Sequence, residues 1–480
     1  MLFKFVQFLA FFVVVYIPYL FLSHKWQNRL LLVASCVFYA AWDWRFLSLI
    51  FVSITVDYFC GLKIYESKSE KTKNRSLILS IFVNLSILGF FKYFNFFITS
   101  FAQLIDCFGF SIHPRMLHIL LPLGISFYTF KTISYTIDVY AEKIQPTRSY
   151  RDYALFVSFF PLILAGPIMR AGDLLRQISS QRKLSLEWFY EGCYLIFWGV
   201  FQKFFVADNL AVIADKVFNL PPPYNGAAVL LAVYAFAVQI YCDFAGYSNI
   251  ARGLGRCLGF DIMINFNLPY FATNPQDFWK RWHISLSNWL RDYLYTPIAF
   301  SNRQWGRWSV VFALMVTFLI CGLWHGAAWT FVTWGAYWGL MLILYDLLKP
   351  LLAKIPNPKN TITQKLWFFV KVLFFFQLTC VGWLIFRAES ISRAFNMLHS
   401  IFANFYVGSS MGSGAFYYCF NIAQLTWILL LVQCAQFISK DQMFVYKSNV
   451  IFRAVFYIIC FYAIMLYGAG SGKDFLYSQF

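Results

Sequence analysis

Long apolar runs recur from the first residues of this chain almost to its last, each of about 17 to 25 residues and each able to cross a hydrocarbon core about 30 Å thick. Inside a bilayer no water satisfies the backbone, so a spanning segment closes its own hydrogen bonds, and a helix does so within one segment. Candidate spans lie at roughly 2–22, 29–43, 46–62, 76–105, 116–139, 187–217, 227–250, 308–324, 327–346, 366–386, 416–438 and 450–468, about a dozen in all. The gaps between them are too short for a soluble domain. The sequence therefore predicts an all-α polytopic membrane protein, one integral-membrane domain over residues 1–480. Leu2 to Leu22 is too long for a signal-peptide core and lacks a small-residue cleavage site, so it is expected to remain as a span.

Only 12% of the 480 residues are charged, against roughly 25% in soluble proteins, and the formal balance is +18. The basic residues sit in short loops instead of one continuous patch, which reads as positive-inside bias and argues against a nucleic-acid partner. The loop from Lys63 to Arg75 is the firmest cytoplasmic candidate and places the N-terminus outside. Lys143 to Arg151, Arg170 to Lys183, Arg252 to Arg256, Arg303 to Arg307 and Lys349 to Lys365 follow on the same side. With two of these loops flanking 153–169, that apolar stretch cannot cross, and Pro161, Gly166 and Pro167 mark it as re-entrant. The eleven cysteines show neither a CxxC pair nor zinc spacing, so no metal site and no disulfide framework is expected.

Two segments carry candidate chemistry. Residues 274–296 open with Asn274-Pro275-Gln276-Asp277, an N-cap followed by a first-turn proline and an acidic third position. Helical spacing then puts Phe278, Trp282, Leu286, Trp289 and Tyr293 on one face and Lys280, His283, Ser287 and Arg291 on another, predicting an amphipathic helix at the interface or along a polar cavity. The second segment is Leu323-Trp324-His325-Gly326-Ala327-Ala328-Trp329, an ionisable ring between two apolar runs with small neighbours that leave room for close approach. A neutral imidazole can take a hydroxyl proton or accept an acyl group. An intramembrane histidine can equally satisfy a backbone carbonyl, and the residues alone leave both roles open. Asp243, inside a span, is expected to be paired, with Arg252 as the partner nearest in sequence; Asp57, Asp138, Lys131, Lys203 and Asp208 read first as interhelix or interfacial pairing.

In order, Tyr241-Cys242-Asp243-Phe244-Ala245-Gly246-Tyr247-Ser248, Phe278-Trp279-Lys280-Arg281-Trp282-His283-Ile284-Ser285-Leu286-Ser287, Trp289-Leu290-Arg291-Asp292-Tyr293-Leu294-Tyr295 and Gly322-Leu323-Trp324-His325-Gly326 resemble the membrane-bound O-acyltransferases. The resemblance is strongest to the branch that acetylates bacterial exopolysaccharides such as alginate. The supporting segments include Leu121 to Phe130, Ala165 to Ile168, Val206 to Leu210 and the terminal Phe475-Leu476-Tyr477-Ser478-Gln479-Phe480. One departure is Pro297-Ile298-Ala299-Phe300, where relatives usually carry a Gly-Gly turn after the proline.

The resemblance implies a ring of about 11–13 transmembrane helices, with re-entrant and amphipathic helices around a central tunnel and a family core at about 116–350. It assigns the essential histidine to His325 and the second motif histidine to His283, with Lys280, Ser287, Arg291 and Asp243 as candidate tunnel lining. It further implies acetyl-CoA as a cytoplasmic acyl-donor substrate with no bound cofactor, a polysaccharide acceptor outside, a partner acetyltransferase of the Ser-His-Asp type, and a multi-pass place in the lipid of a bacterial plasma membrane. The rival readings are teichoic acid D-alanylation, acylation of a lipid or protein, and a non-enzymatic transporter with a proton relay.

Overall fold

The computed structural model describes residues 5–112, 116–355, 358, 360–407 and 414–468. The terminal 475–480 motif lies outside them. Helices connected by turns make up the fold, with no strand among the described residues. Nine helical stretches among them are long and apolar enough to cross a membrane, and the shorter apolar helix 6–21 precedes them. The protein is a multi-pass membrane protein.

The chain divides into two compact units, 1–193 with 251–263, and 194–250 with 264–480. The first contains α1 (Phe5–Phe21), α2 (His24–Asp43), α3 (Leu47–Glu66), α4 (Glu70–Leu88), α5 (Phe94–Asp106), α6 (Ile125–Tyr140), α7 (Tyr150–Ser158), α8 (Phe160–Ile163), α9 (Ala171–Ser179) and the start of α10 (Leu186–Val200). The span expected over 116–139 is helical only from Ile125, because Pro122 and the Leu-Gly pair after it hold the preceding residues out of helix. The expected re-entrant stretch 153–169 is broken into α7 and α8, each too short to span, and its residues are almost all buried, where irregular backbone is tolerated. Asp57 of α3 meets neutral donors: Ser80 Oγ donates to it at 2.6 Å and Asn84 Nδ2 at 2.9 and 3.0 Å, tying α3 to α4. Lys131 departs from the pairing expected of it, since its buried Nζ has no hydrogen-bond partner among the described residues.

The second unit continues with α11 (Asp208–Phe218), α12 (Gly226–Cys257, of which the residues up to 250 belong here), α13 (Pro275–Trp279), α14 (Ile284–Leu290), α15 (Thr296–Ser301), α16 (Arg307–His325), α17 (Trp329–Leu352), α18 (Thr361–Arg387), α19 (Ile391–Ala403), α20 (Ala415–Ser439), α21 (Phe444–Lys447) and α22 (Val450–Tyr467). Capping is local and legible: Asn274, Asn360, Ser390 and Asn449 each accept a backbone N–H of the first turn.

Two glycine crossings set this unit's geometry. α16 and α17 form a hairpin in which a Cβ on Gly322 would lie 2.2 Å from the Phe331 carbonyl oxygen, and one on Gly335 2.2 Å from that of Phe318. Only glycine permits such backbone contact. Earlier in the chain, a Cβ on Gly199 would lie 2.5 Å from the Gly246 carbonyl oxygen. One turn beyond that contact a π-helical turn, Phe201–Ala207, presents Lys203 to both Asp243 (2.5 Å) and Asp208 (2.9 Å). All three side chains are almost wholly buried.

The partner of Asp243 is therefore Lys203 and not Arg252. Nine residues at 100° per residue put Arg252 on the opposite side of α12 from Asp243.

Candidate active site

The helix expected across 274–296 starts where the sequence placed it, with Asn274 Oδ1 accepting from Asp277 N at 2.9 Å. It does not continue. α13 ends at Trp279, and the chain turns through Lys280 to His283 before α14 begins. His283 stands at φ 41°, ψ 55°, a left-handed conformation that costs an ordinary L-residue roughly 1–2 kcal/mol. The cost is offset by hydrogen bonding at the α14 N-terminus. The backbone carbonyl of Asn265 accepts from Ile284 N at 2.9 Å, the Asn265 Oδ1 accepts from Ser285 N at 3.2 Å, and His283 Nδ1 itself accepts from Leu286 N at 3.3 Å. Three of the donors that a helix start leaves unmet are thus satisfied.

The break rotates His283 away from the polar face predicted for it. Lys280 and Arg291 are exposed, Arg291 pairing with Asp292 at 2.7 Å, and Ser287 is half-buried with its hydroxyl donating to the Trp282 carbonyl at 3.1 Å. His283 is fully buried, between the ring of Phe244 at 4.6 Å and that of Trp324 at 6.1 Å. Burial pushes its imidazole down to about 3, so the ring is neutral. Because a backbone N–H donates to Nδ1, the ring's hydrogen is on Nε2. That Nε2 has no hydrogen-bond partner among the described residues.

The Trp324 ring also lies 4.9 Å from His325, the last residue of α16. The single indole thus touches both histidines, and both predicted site residues come together on it. His325 is buried under Trp334 (4.9 Å) and Phe386 (5.5 Å), with Phe331 closing over Gly326 so tightly that a Cβ there would lie 2.1 Å from the ring. Trp282 and Trp334 both meet Trp383, at 4.8 and 6.2 Å, which extends the aromatic wall from one histidine segment to the other. The carbonyl end of α16 is a favourable place for the positive charge a base acquires. The site can take a proton and donate a hydrogen bond in a water-poor aromatic enclosure, the two operations that acyl transfer needs.

Asp243 belongs to the Lys203 triad, although its neighbour Phe244 packs on His283. Asn265, Trp334 and Phe386 were missed in the sequence, where an asparagine in a loop and aromatic residues in spans carry no distinguishing spacing. Among the described residues no three His, Cys, Asp or Glu side chains gather as a metal-ligand set.

The family model of the membrane-bound O-acyltransferases matches residues 141–386, more than half of the chain and including every residue of this enclosure. The chain belongs to the membrane-bound O-acyltransferase family. It is 44% identical over 382 residues to a probable alginate O-acetylase, AlgI, of Azotobacter vinelandii, covering 79% of this chain and 73% of that one. A peptidoglycan O-acetyltransferase of Helicobacter pylori is 34% identical over 421 residues, 81% of this chain and 77% of its own. A teichoic acid D-alanyltransferase of Bacillus subtilis is 29% identical over 291 residues, 58% of this chain and 72% of its own. As a member of this family the protein is an O-acyltransferase, and both buried histidines, His283 and His325, lie within the matched residues.

Proposed function

We propose that this O-acyltransferase moves an acetyl group from cytoplasmic acetyl-CoA across a bacterial plasma membrane for O-acetylation of an extracytoplasmic polysaccharide, alginate or a similar exopolysaccharide, with a Ser-His-Asp partner enzyme completing the transfer. His325 acts as the base. It takes the proton of the accepting hydroxyl as that oxygen attacks the thioester carbonyl; the C–S bond breaks, and the imidazolium returns the proton to the leaving thiolate. His283 donates its Nε2–H to the carbonyl oxygen on which negative charge develops. General-base catalysis supplies about 10²- to 10⁴-fold, so the donor and the enclosure must supply the rest. An acyl-His325 intermediate is the alternative route for the same atoms.

The observation that carries this reading is the pair of buried imidazoles on one indole, one of them fixed as a hydrogen-bond donor. α16 supports the direction: its 19 residues rise about 28 Å from Arg307, at the basic end, to His325. Acetyl is favoured over D-alanyl because relatives named for acetylation are 34% to 44% identical and match about four-fifths of the chain, whereas the D-alanyltransferase matches 58% at 29%.

The test is transfer of labelled acetyl by purified protein in nanodiscs with the partner enzyme present, comparing wild type, His325→Ala and His283→Ala, and comparing acetyl-CoA with a D-alanyl carrier-protein thioester. Loss of transfer in folded His325→Ala supports the reading. Undiminished transfer removes His325 from the chemistry, and activity with the carrier thioester alone replaces acetyl by D-alanyl.

A further inference from the structure

Asn265 lies in the connection between α12 and α13, outside any helix, and is 1% exposed. Both ends of its carboxamide are engaged: Oδ1 accepts from Ser285 N at 3.2 Å and from Ser285 Oγ at 2.9 Å, while Nδ2 donates to Ser248 Oγ of α12 at 3.2 Å. The orientation of the amide follows from chemistry, since a backbone N–H can only donate and therefore faces the oxygen. With its backbone carbonyl on Ile284 N, this one residue grips both of the residues that follow His283.

The grip has a consequence for the histidine. The Ser285 hydroxyl proton is committed to Asn265, so Ser285 Oγ, 3.5 Å from His283 Nδ1, does not compete for that nitrogen. Nδ1 is left to the Leu286 N–H alone, which fixes the proton on Nε2. The left-handed backbone of His283 is also kept by these bonds, because a histidine released from them returns to an ordinary conformation and swings its ring off the cap.

We infer that Asn265 is a positioning residue for acyl transfer: it clamps the 283–285 turn to Ser248 so that His283 presents Nε2–H, and only that tautomer, to the acyl group. This rests on the reading of His283 as donor to the acyl carbonyl. Asn265 itself touches no reacting atom in this scheme. Its contribution is the direction and identity of a hydrogen on another residue.

The experiment separates the clamp from the chemistry by reading the tautomer without substrate. Full-length protein carrying ¹⁵N-labelled histidine is reconstituted in lipid, and the His283 resonances, assigned by their loss in His283→Gln, report which ring nitrogen holds the proton. Wild type is expected to show Nε2–H alone. Asn265→Ala is expected to populate the Nδ1–H form and to lose acetyl transfer by about tenfold to a hundredfold, the scale set by misplacing a catalytic group by about 1 Å. Asn265→Asp, whose carboxyl oxygens still accept from Ser285 N and Oγ and can take the hydrogen of the rotatable Ser248 hydroxyl, is expected to return the wild-type tautomer and recover most of the transfer. Ser248→Ala, which cuts only the far anchor, shifts the tautomer in the same direction by less.

An unshifted tautomer in folded Asn265→Ala overturns the proposal whatever the activity does. If Asn265→Ala does not fold, loss of the Nε2–H form in Asn265→Asp overturns it. A shifted tautomer with undiminished transfer overturns the catalytic consequence. Wild type that transfers nothing from acetyl-CoA refutes the functional reading instead, and the tautomer comparison still decides the clamp.

Discussion

Replacing Gly335 by alanine should disable the enzyme without unfolding it. The added methyl would lie 2.2 Å from the Phe318 carbonyl oxygen and 3.3 Å from the Cα of Gly322, both backbone atoms of α16 that cannot swing aside. Restoring an ordinary contact of about 3.4 Å requires α16 and α17 to part by roughly 1 Å. Trp334, the preceding residue, packs on His325 at 4.9 Å, so the separation falls directly on the ring proposed as the base. A misplacement of that size costs about 10²-fold in rate, whereas overpacking costs only about 1–3 kcal/mol of stability. Gly339→Ala is the control one turn along: its methyl meets the thioether of Met315 at 3.2 Å, a flexible side chain that can yield. Labelled-acetyl transfer in nanodiscs and a thermal unfolding midpoint should therefore show a roughly hundredfold loss with a modest midpoint drop for Gly335→Ala, and transfer within about twofold of wild type for Gly339→Ala. Transfer by folded Gly335→Ala within twofold of wild type, or equal losses in both variants, would refute the backbone-contact argument.

Lys203→Met leaves the buried carboxylates of Asp208 and Asp243 without their shared cation and should destabilise the protein by about 3–5 kcal/mol, measured by thermal unfolding in detergent; combining it with Asp208→Asn and Asp243→Asn should recover most of that loss. His283 gives a pH signature. Its folded imidazole is held down at about 3 while the unfolded one titrates near 6.5, so the unfolded chain binds the extra proton between those values. The stability it confers is complete above about pH 6.5 and is lost progressively as pH falls towards 3; His283→Gln should flatten that part of the curve, and an unchanged slope counts against the buried neutral ring.

The legible parts of the sequence were those whose signals are local. Asn274 announced its cap through the Pro-Gln-Asp that follows, and His325 stood out as a candidate because an ionisable ring between two apolar runs is costly to bury. The turn at His283 was hidden because the 3.6-residue periodicity runs through it uninterrupted: Phe278, Trp282, Leu286 and Trp289 are buried as the helical pattern required. What breaks the helix is a set of hydrogen bonds from Asn265, 18 residues earlier, and no propensity within 274–296 encodes them. Asp243 was similarly assigned to the wrong cation because proximity along the chain favoured Arg252. The true partner is 40 residues away and arrives through the contact of Gly199 with Gly246.

The Lys203 triad also bears on how this protein is made. A span emerging alone into lipid with a lysine and an aspartate near its middle is a poor candidate for release, and the next span carries an acid of its own. The two are joined by a connection of only seven residues, 219–225, so they can meet as a hairpin while still held by the insertion machinery. Neutralisation then precedes exposure to hydrocarbon. A ribosome stalled after the first of these spans should leave it retained at the translocation channel, and lengthening the nascent chain past Cys257 should let both partition together.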